Sequence, residues 1–162
     1  DLGAYDPDAP PAQQFRGPVH CEEPSNDGLV YVCDRTGNRV QVFQQDGTFV
    51  QEFFSSPGSL SAGSTWEIAF SPDAAQRFMY LADGLNRKVH VMDREPLEGL
   101  YGFGDGGRQP GQFYGVHSIE TDSEGNIYTT ETYEGKRVQK FVYKGLGPVT
   151  KENQGALWPT HN

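Results

Sequence analysis

One pattern recurs three times along this chain at a spacing of about 49 residues, and it leaves few folds open. Its copies run from Val30 to Phe43, from Met79 to Met92 and from Ile127 to Phe141. Tyr31, Tyr80 and Tyr128 stand 49 and 48 residues apart, and Val40, Val89 and Val138 stand 49 and 49 apart. Each copy alternates apolar and polar residues over short runs, as half-buried strands do. A period of this length filled with short strands predicts the blades of a β-propeller. A propeller is a ring, and three blades do not close one.

Composition narrows the reading further. The 162 residues fit one domain, and 20 Gly and 11 Pro with 12% aromatics favour short strands and tight turns. Hydrophobic residues make up only 35%, but the aromatic and β-branched content argues against disorder. A net charge of −9 argues against nucleic-acid binding, which needs clustered Lys and Arg. No run of about 18 apolar residues exists to span a membrane, and no signal peptide is visible. The chain begins with Asp1 and not Met, which reads as a processed or trimmed product.

Each repeat divides into strands a to d. In the first, a is expected at Val19–Glu23, b at Leu29–Asp34, c at Arg39–Gln44 and d at Thr48–Phe54, with an Asp46-Gly47 hairpin turn before d. The second has a at Trp66–Ser71, b at Phe78–Asp83, c at Lys88–Asp93 and d at Gly99–Phe103. The third has a at Val116–Asp122, b at Asn126–Glu131 and c at Arg137–Tyr143, with no obvious fourth strand. The expected organisation is an extended arm (1–14), blade one (15–57), blade two (58–106), blade three without its last strand (107–144) and an irregular tail (145–162). The missing strand would leave an exposed edge, which natural proteins avoid. The arm or a second molecule is expected to supply it.

The run from Tyr31 through Asp34, Arg35, Asn38, Arg39 and Val40 to Phe43, together with Gly111-Gln112-Phe113 ahead of the third copy, resembles the NHL repeat over roughly residues 15–143. The fold class is therefore all-β: three NHL-type four-stranded blades, half of a six-bladed propeller. A narrower resemblance rests on Pro18-Val19-His20, on Cys33 to Arg39 and on Gly115-Val116-His117. These residues resemble the lyase domain of peptide-amidating enzymes, the peptidyl-α-hydroxyglycine amidating lyases. That resemblance implies a zinc ion held by three His from alternate blades, with calcium as a second possible ion. It also implies cleavage of an α-hydroxyglycine terminus to an amide and glyoxylate.

His20 and His117 each stand 11 residues before the Tyr of their repeat, so they share one position at the start of strand a, which lines the channel. They lie two blades apart, and Trp66 takes the same place between them. Three such imidazoles would make an open His₃ site; the alternative reading is that two His on channel strands fill polar space. The chain offers no third His at this position: His90 falls in a strand c and His161 in the tail.

Asp34, Asp83 and Glu131 end the three b strands on the same rim, and their recurrence favours capping of the b–c loops. Arg35 is not repeated, since Gly84 and Thr132 stand in its place. It is the candidate catalytic residue, and the resemblance to the amidating lyases implies that it meets a substrate carboxylate, with a solvated surface Arg as the alternative. Tyr133 and Glu134, in the equivalent loop of the third repeat, are weaker rim candidates for substrate binding.

Cys21 and Cys33 align with Ser118 and Thr130, positions expected to face each other across strands, so a disulfide between them is expected. It implies the periplasm or the cell exterior. Gly102 to Gly107 matches a dinucleotide-binding glycine motif literally, but it leads into another strand and not a helix.

The function expected is that of an NHL propeller resembling the zinc lyase with an incomplete site. The alternative is a non-catalytic module binding a protein or small ligand through its rim loops. A sugar-lactone hydrolase lacks a convincing Glu, Asn and Asp metal set. The ring is expected to be completed by a second copy or by further blades of a longer parent chain. A dimer would place His, Trp, His, His, Trp, His around the ring, which is not three alternate His.

Overall fold

The computed structural model describes residues 14–148. The arm apart from Gln14, and the tail beyond residue 148 with His161, lie outside the described residues. Eleven strands and no helix occur among the described residues: β1 Val19–Pro24, β2 Leu29–Asp34, β3 Arg39–Gln44, β4 Phe49–Phe54, β5 Glu67–Phe70, β6 Phe78–Asp83, β7 Lys88–Asp93, β8 Glu98–Phe103, β9 Val116–Thr121, β10 Ile127–Glu131 and β11 Val138–Phe141.

They form two four-stranded sheets and one three-stranded sheet, all paired antiparallel between sequence neighbours. Strands b and c of the first two sheets fall at the expected residues, because alternation and turn residues agree there. Strand c of the third is shorter than expected, ending at Phe141. The chain after Phe141 runs over the apolar wall between the second and third sheets instead. No fourth strand of the third sheet occurs among the described residues.

The sheets stack face to face through two apolar cores. Between the first and second lie Tyr31, Cys33, Val40 and Val42 against Ile68, Phe70, Met79, Leu81 and Met92. Between the second and third lie Ala69, Tyr80, Ala82 and Val89 against Phe113, Val116, Ile119 and Ile127. Burying one such side chain stabilises the fold by about 1.5–3 kcal/mol. The repeated valines are not equivalent in this respect: Val40 and Val89 are fully buried, whereas Val138 is 67% exposed on a face with no neighbouring sheet among the described residues.

Of the first strands of the three sheets, β5 packs against both β1 and β9. Whatever the starts of these strands carry is therefore brought together. The strand after Gly102–Gly107 is β9, so the glycine run links two sheets and cradles no phosphate at a helix.

Candidate functional site

The starts of β1, β5 and β9 bring His20, Trp66 and His117 into one cluster. The His20 and His117 rings meet edge-on, with centres 5.0 Å apart. Trp66 is buried and stands 5.7 Å from the His20 ring and 5.3 Å from the His117 ring. The indole N–H donates to the Gly63 carbonyl at 2.7 Å, which fixes the ring. Gly84 stands where the first repeat has Arg35, and a Cβ there would lie 2.6 Å from the indole and from the Val116 carbonyl. The smallest residue in the second repeat therefore makes room for its largest.

Both histidines occupy β-bulges. In the first sheet the register passes from Val19↔Asp34 to Cys21↔Cys33, leaving His20 as the extra residue. In the third it passes from Glu131↔Val116 to Thr130↔Ser118, leaving His117 as the extra residue. A bulge bends the strand and re-aims one side chain, and bulges are enriched beside active sites. Nothing in the residue types announces these bulges, because Val19, His20 and Cys21 read as ordinary alternation.

The imidazoles differ in their surroundings. His20 Nδ1 lies 2.5 Å from the Trp66 carbonyl. A carbonyl only accepts, so Nδ1 carries the proton and Nε2 keeps its lone pair. His117 is held below the ordinary imidazole range, first by burial and then by the neighbouring His20 and Arg35. His117 is thus disposed to be a neutral donor. Among the described residues, no three His, Cys, Asp or Glu side chains are grouped to hold a metal.

Arg35 completes the cluster. Its guanidinium carbon lies 5.0 Å from the centre of the Trp66 ring, and its Nε is buried without a hydrogen-bond partner. Tyr133 is 66% exposed on the same rim and lies against Gly115, two residues before His117. Glu134 turns to Lys136 at 3.7 Å on the surface.

The strand-ending acids are buried braces, and the expectation that each caps the b–c loop after it holds fully only for Asp83. Asp83 accepts the Asn86 N–H at 2.9 Å and also meets His90 Nε2 at 3.1 Å. Asp34 instead accepts the N–H groups of Arg16 and Gly17, ahead of β1, and pairs with Arg39 at 2.9 Å. Glu131 accepts those of Tyr114 and Gly115, ahead of β9, and pairs with Arg137. In the first and third sheets the acid thus anchors the segment entering the bulged strand.

Cys21 and Cys33 form a disulfide, with Cα atoms 4.9 Å apart. Their counterparts Ser118 and Thr130 pair in the same register.

No family model matches the chain. Among solved structures it is similar to dihydro-heme d1 dehydrogenase NirN in complex with DHE, with a TM-score of 0.59 and 18% identity over 83% of this chain and 28% of that one. It is also similar to a catalytically inactive virginiamycin B lyase from Staphylococcus aureus with quinupristin, at a TM-score of 0.54 and 13% identity over 82% and 43% of the two chains. A third similarity is to the RRP9 WD40 repeats, at a TM-score of 0.54 and 12% identity over 80% and 41%. This chain has an all-β, propeller-type fold. It spans less than half the length of each of these three proteins, and such identities concern the fold alone. One fold hosts a dehydrogenase, a lyase and a WD40 protein, so function must be argued from the site.

Proposed function

We propose that this chain is part of an NHL-type propeller lyase resembling the peptidyl-α-hydroxyglycine amidating lyases, with His20 and His117 as two of three zinc ligands. The observation that carries the reading is the convergence of two bulged imidazoles, one tied through Nδ1 to a backbone carbonyl. Metal-binding His residues usually donate their second ring N–H in this way, which fixes tautomer and aim. Nitrogen donors suit zinc, whereas calcium takes oxygen ligands and is the poorer match. The third ligand comes from outside the described residues, from further blades of a longer parent chain, since a second copy would not give three alternate His. When bound, zinc would polarise an oxygen of the hydroxyglycine. Arg35 is assigned to a substrate carboxylate: it is unpaired at Nε, oriented by the Trp66 face and next to His117. The disulfide agrees with an oxidising compartment, periplasmic or extracellular. Among the described residues no helix is long and apolar enough to cross a membrane.

A second reading, a non-catalytic module binding a protein or small ligand at the rim, is favoured by the exposed Tyr133 beside the cluster. Metal analysis of the purified chain separates the two. The lyase-like reading expects bound zinc that is lost in His20→Ala and His117→Ala. Zinc far below stoichiometry, unaffected by either substitution, would sink it.

A further inference from the structure

We infer that the Cys21–Cys33 disulfide is a positioning brace for His20: it holds the bulge that aims the imidazole and ties it to the strand that leads into Arg35. This rests on the assignment of His20 to the site proposed above.

The argument starts from how weakly β1 is otherwise held. Of its six residues only Cys21 is buried; Val19 is 51% exposed and Glu22 and Pro24 face solvent. β9, which carries His117 in the same bulge, buries both Val116 and Ile119. β9 packs on β6 as well as on β5, whereas β1 packs on β5 and on no other strand of the second sheet to a comparable extent. One buried side chain is a poor anchor for a strand that must hold an unpaired bulge residue.

The crosslink falls where the deficit lies. Cys21 is adjacent to His20, and Cys33 is two residues from Arg35. On its other side the bulge is tied by Val19↔Asp34 and by the Arg35 N–H to the Pro18 carbonyl at 3.2 Å. His20 on β1 and Arg35 just after β2 are therefore tied by a covalent link one residue from His20 and two from Arg35. The third sheet shows what the same register does without a crosslink: Ser118 faces Thr130, and the apolar anchors of β9 take over. Both sulfurs belong to buried residues, at 3% and 0% exposure, so the brace is permanent and not an accessible redox gate.

The test copies the protein's own alternative. In a Cys21→Ser, Cys33→Thr double variant of this chain, ring NMR signals of His20 and His117 and the affinity for cobalt(II) alone are measured. The brace predicts that His20 loses its single tautomer and its protected Nδ1–H, while His117 keeps its signals. Cobalt affinity should fall about tenfold or more, as when a support of a metal ligand is removed. Unchanged His20 signals with affinity within about twofold would overturn the inference. Should the double variant fail to fold, Cys21→Val with Cys33→Val restores apolar burial without the crosslink. A single ordered His20 tautomer in that variant overturns the brace, and a disordered one supports it. If the native chain binds no cobalt, the metal reading fails, and the His20 signals still decide the brace.

Discussion

The imidazoles of His20 and His117 meet edge-on with ring centres 5.0 Å apart, although 97 residues separate them in sequence. The contact gives the His117 ring a reason to stay neutral, since positive charge on His20 opposes its protonation. His117 is held below the ordinary imidazole range, first by burial and then by His20 and Arg35. Between its lowered value and the ordinary 6.5, the unfolded chain binds more protons than the folded one. The stability this group contributes is therefore complete above about 6.5 and is lost as pH falls through the folded value. Replacing His20 with Ala removes both a like charge and part of the burial, so the His117 midpoint should rise. An NMR titration of the ring protons checks this; an unchanged midpoint would refute the coupling.

Glu67 follows the opposite rule. Its carboxyl is pushed up to about 7, first by burial and then by the charges of Glu23, Glu22 and Glu120. Here the folded chain holds a proton that the unfolded chain, near 4.5, has released. Stability from this group is fully present below about 4.5 and is lost as pH rises through 7. Glu67→Gln should therefore melt higher than the parent at pH 8 and close to it at pH 4. Equal melting temperatures for the two proteins at pH 8 would show that Glu67 is not protonated by its surroundings.

Much of this was legible in the repeat, and the remainder has a physical reason for being hidden. Strands b and c of the first two sheets read correctly because their alternation, the Asp46-Gly47 turn and the repeated Tyr and Val all agree. The antiparallel a–b pairing also placed Cys21 opposite Cys33. The bulges at His20 and His117 were not legible, because a bulge is a change of register and not of residue type. Nor was the role of Asp34 and Glu131: their partners are N–H groups 16 to 18 residues back, and backbone groups leave no mark in a sequence. Trp66 read only as the residue that takes the histidines' place in the middle repeat, in keeping with His on alternate blades, whereas in the structure its ring is the surface both histidines and Arg35 lean on.

That role for Trp66 makes Gly84 a sensitive position. A Cβ at residue 84 would lie 2.6 Å from both the indole and the Val116 carbonyl, and the second of these is backbone and cannot swing away. Gly84→Ala should cost about 1–3 kcal/mol through overpacking. It should also displace the indole, altering the Trp fluorescence spectrum, and broaden the His117 ring signals. A variant with native melting temperature and an unchanged spectrum would show that the contact relaxes freely.

Arg35 and Arg39 lie four residues apart in one motif, yet replacing each with Met should give opposite results. Arg35 Nε is buried with no partner, so Arg35→Met removes an unmet donor while giving up a cation–π contact with Trp66. An unpaired buried donor costs about 1–3 kcal/mol and a cation–π contact contributes about 0.5–2 kcal/mol, so the two nearly cancel. The melting temperature should stay within a few degrees, while binding of a carboxylate-ended peptide is lost. Arg39 is buried and bonded to Asp34 at 2.9 Å and to Glu52 at 3.1 Å. Arg39→Met leaves the fully buried Asp34 without its countercharge, which costs about 3 kcal/mol or more and lowers the melting temperature by roughly 6 °C or more. A large loss of stability in Arg35→Met would instead make Arg35 part of the scaffold and remove it from the proposed site.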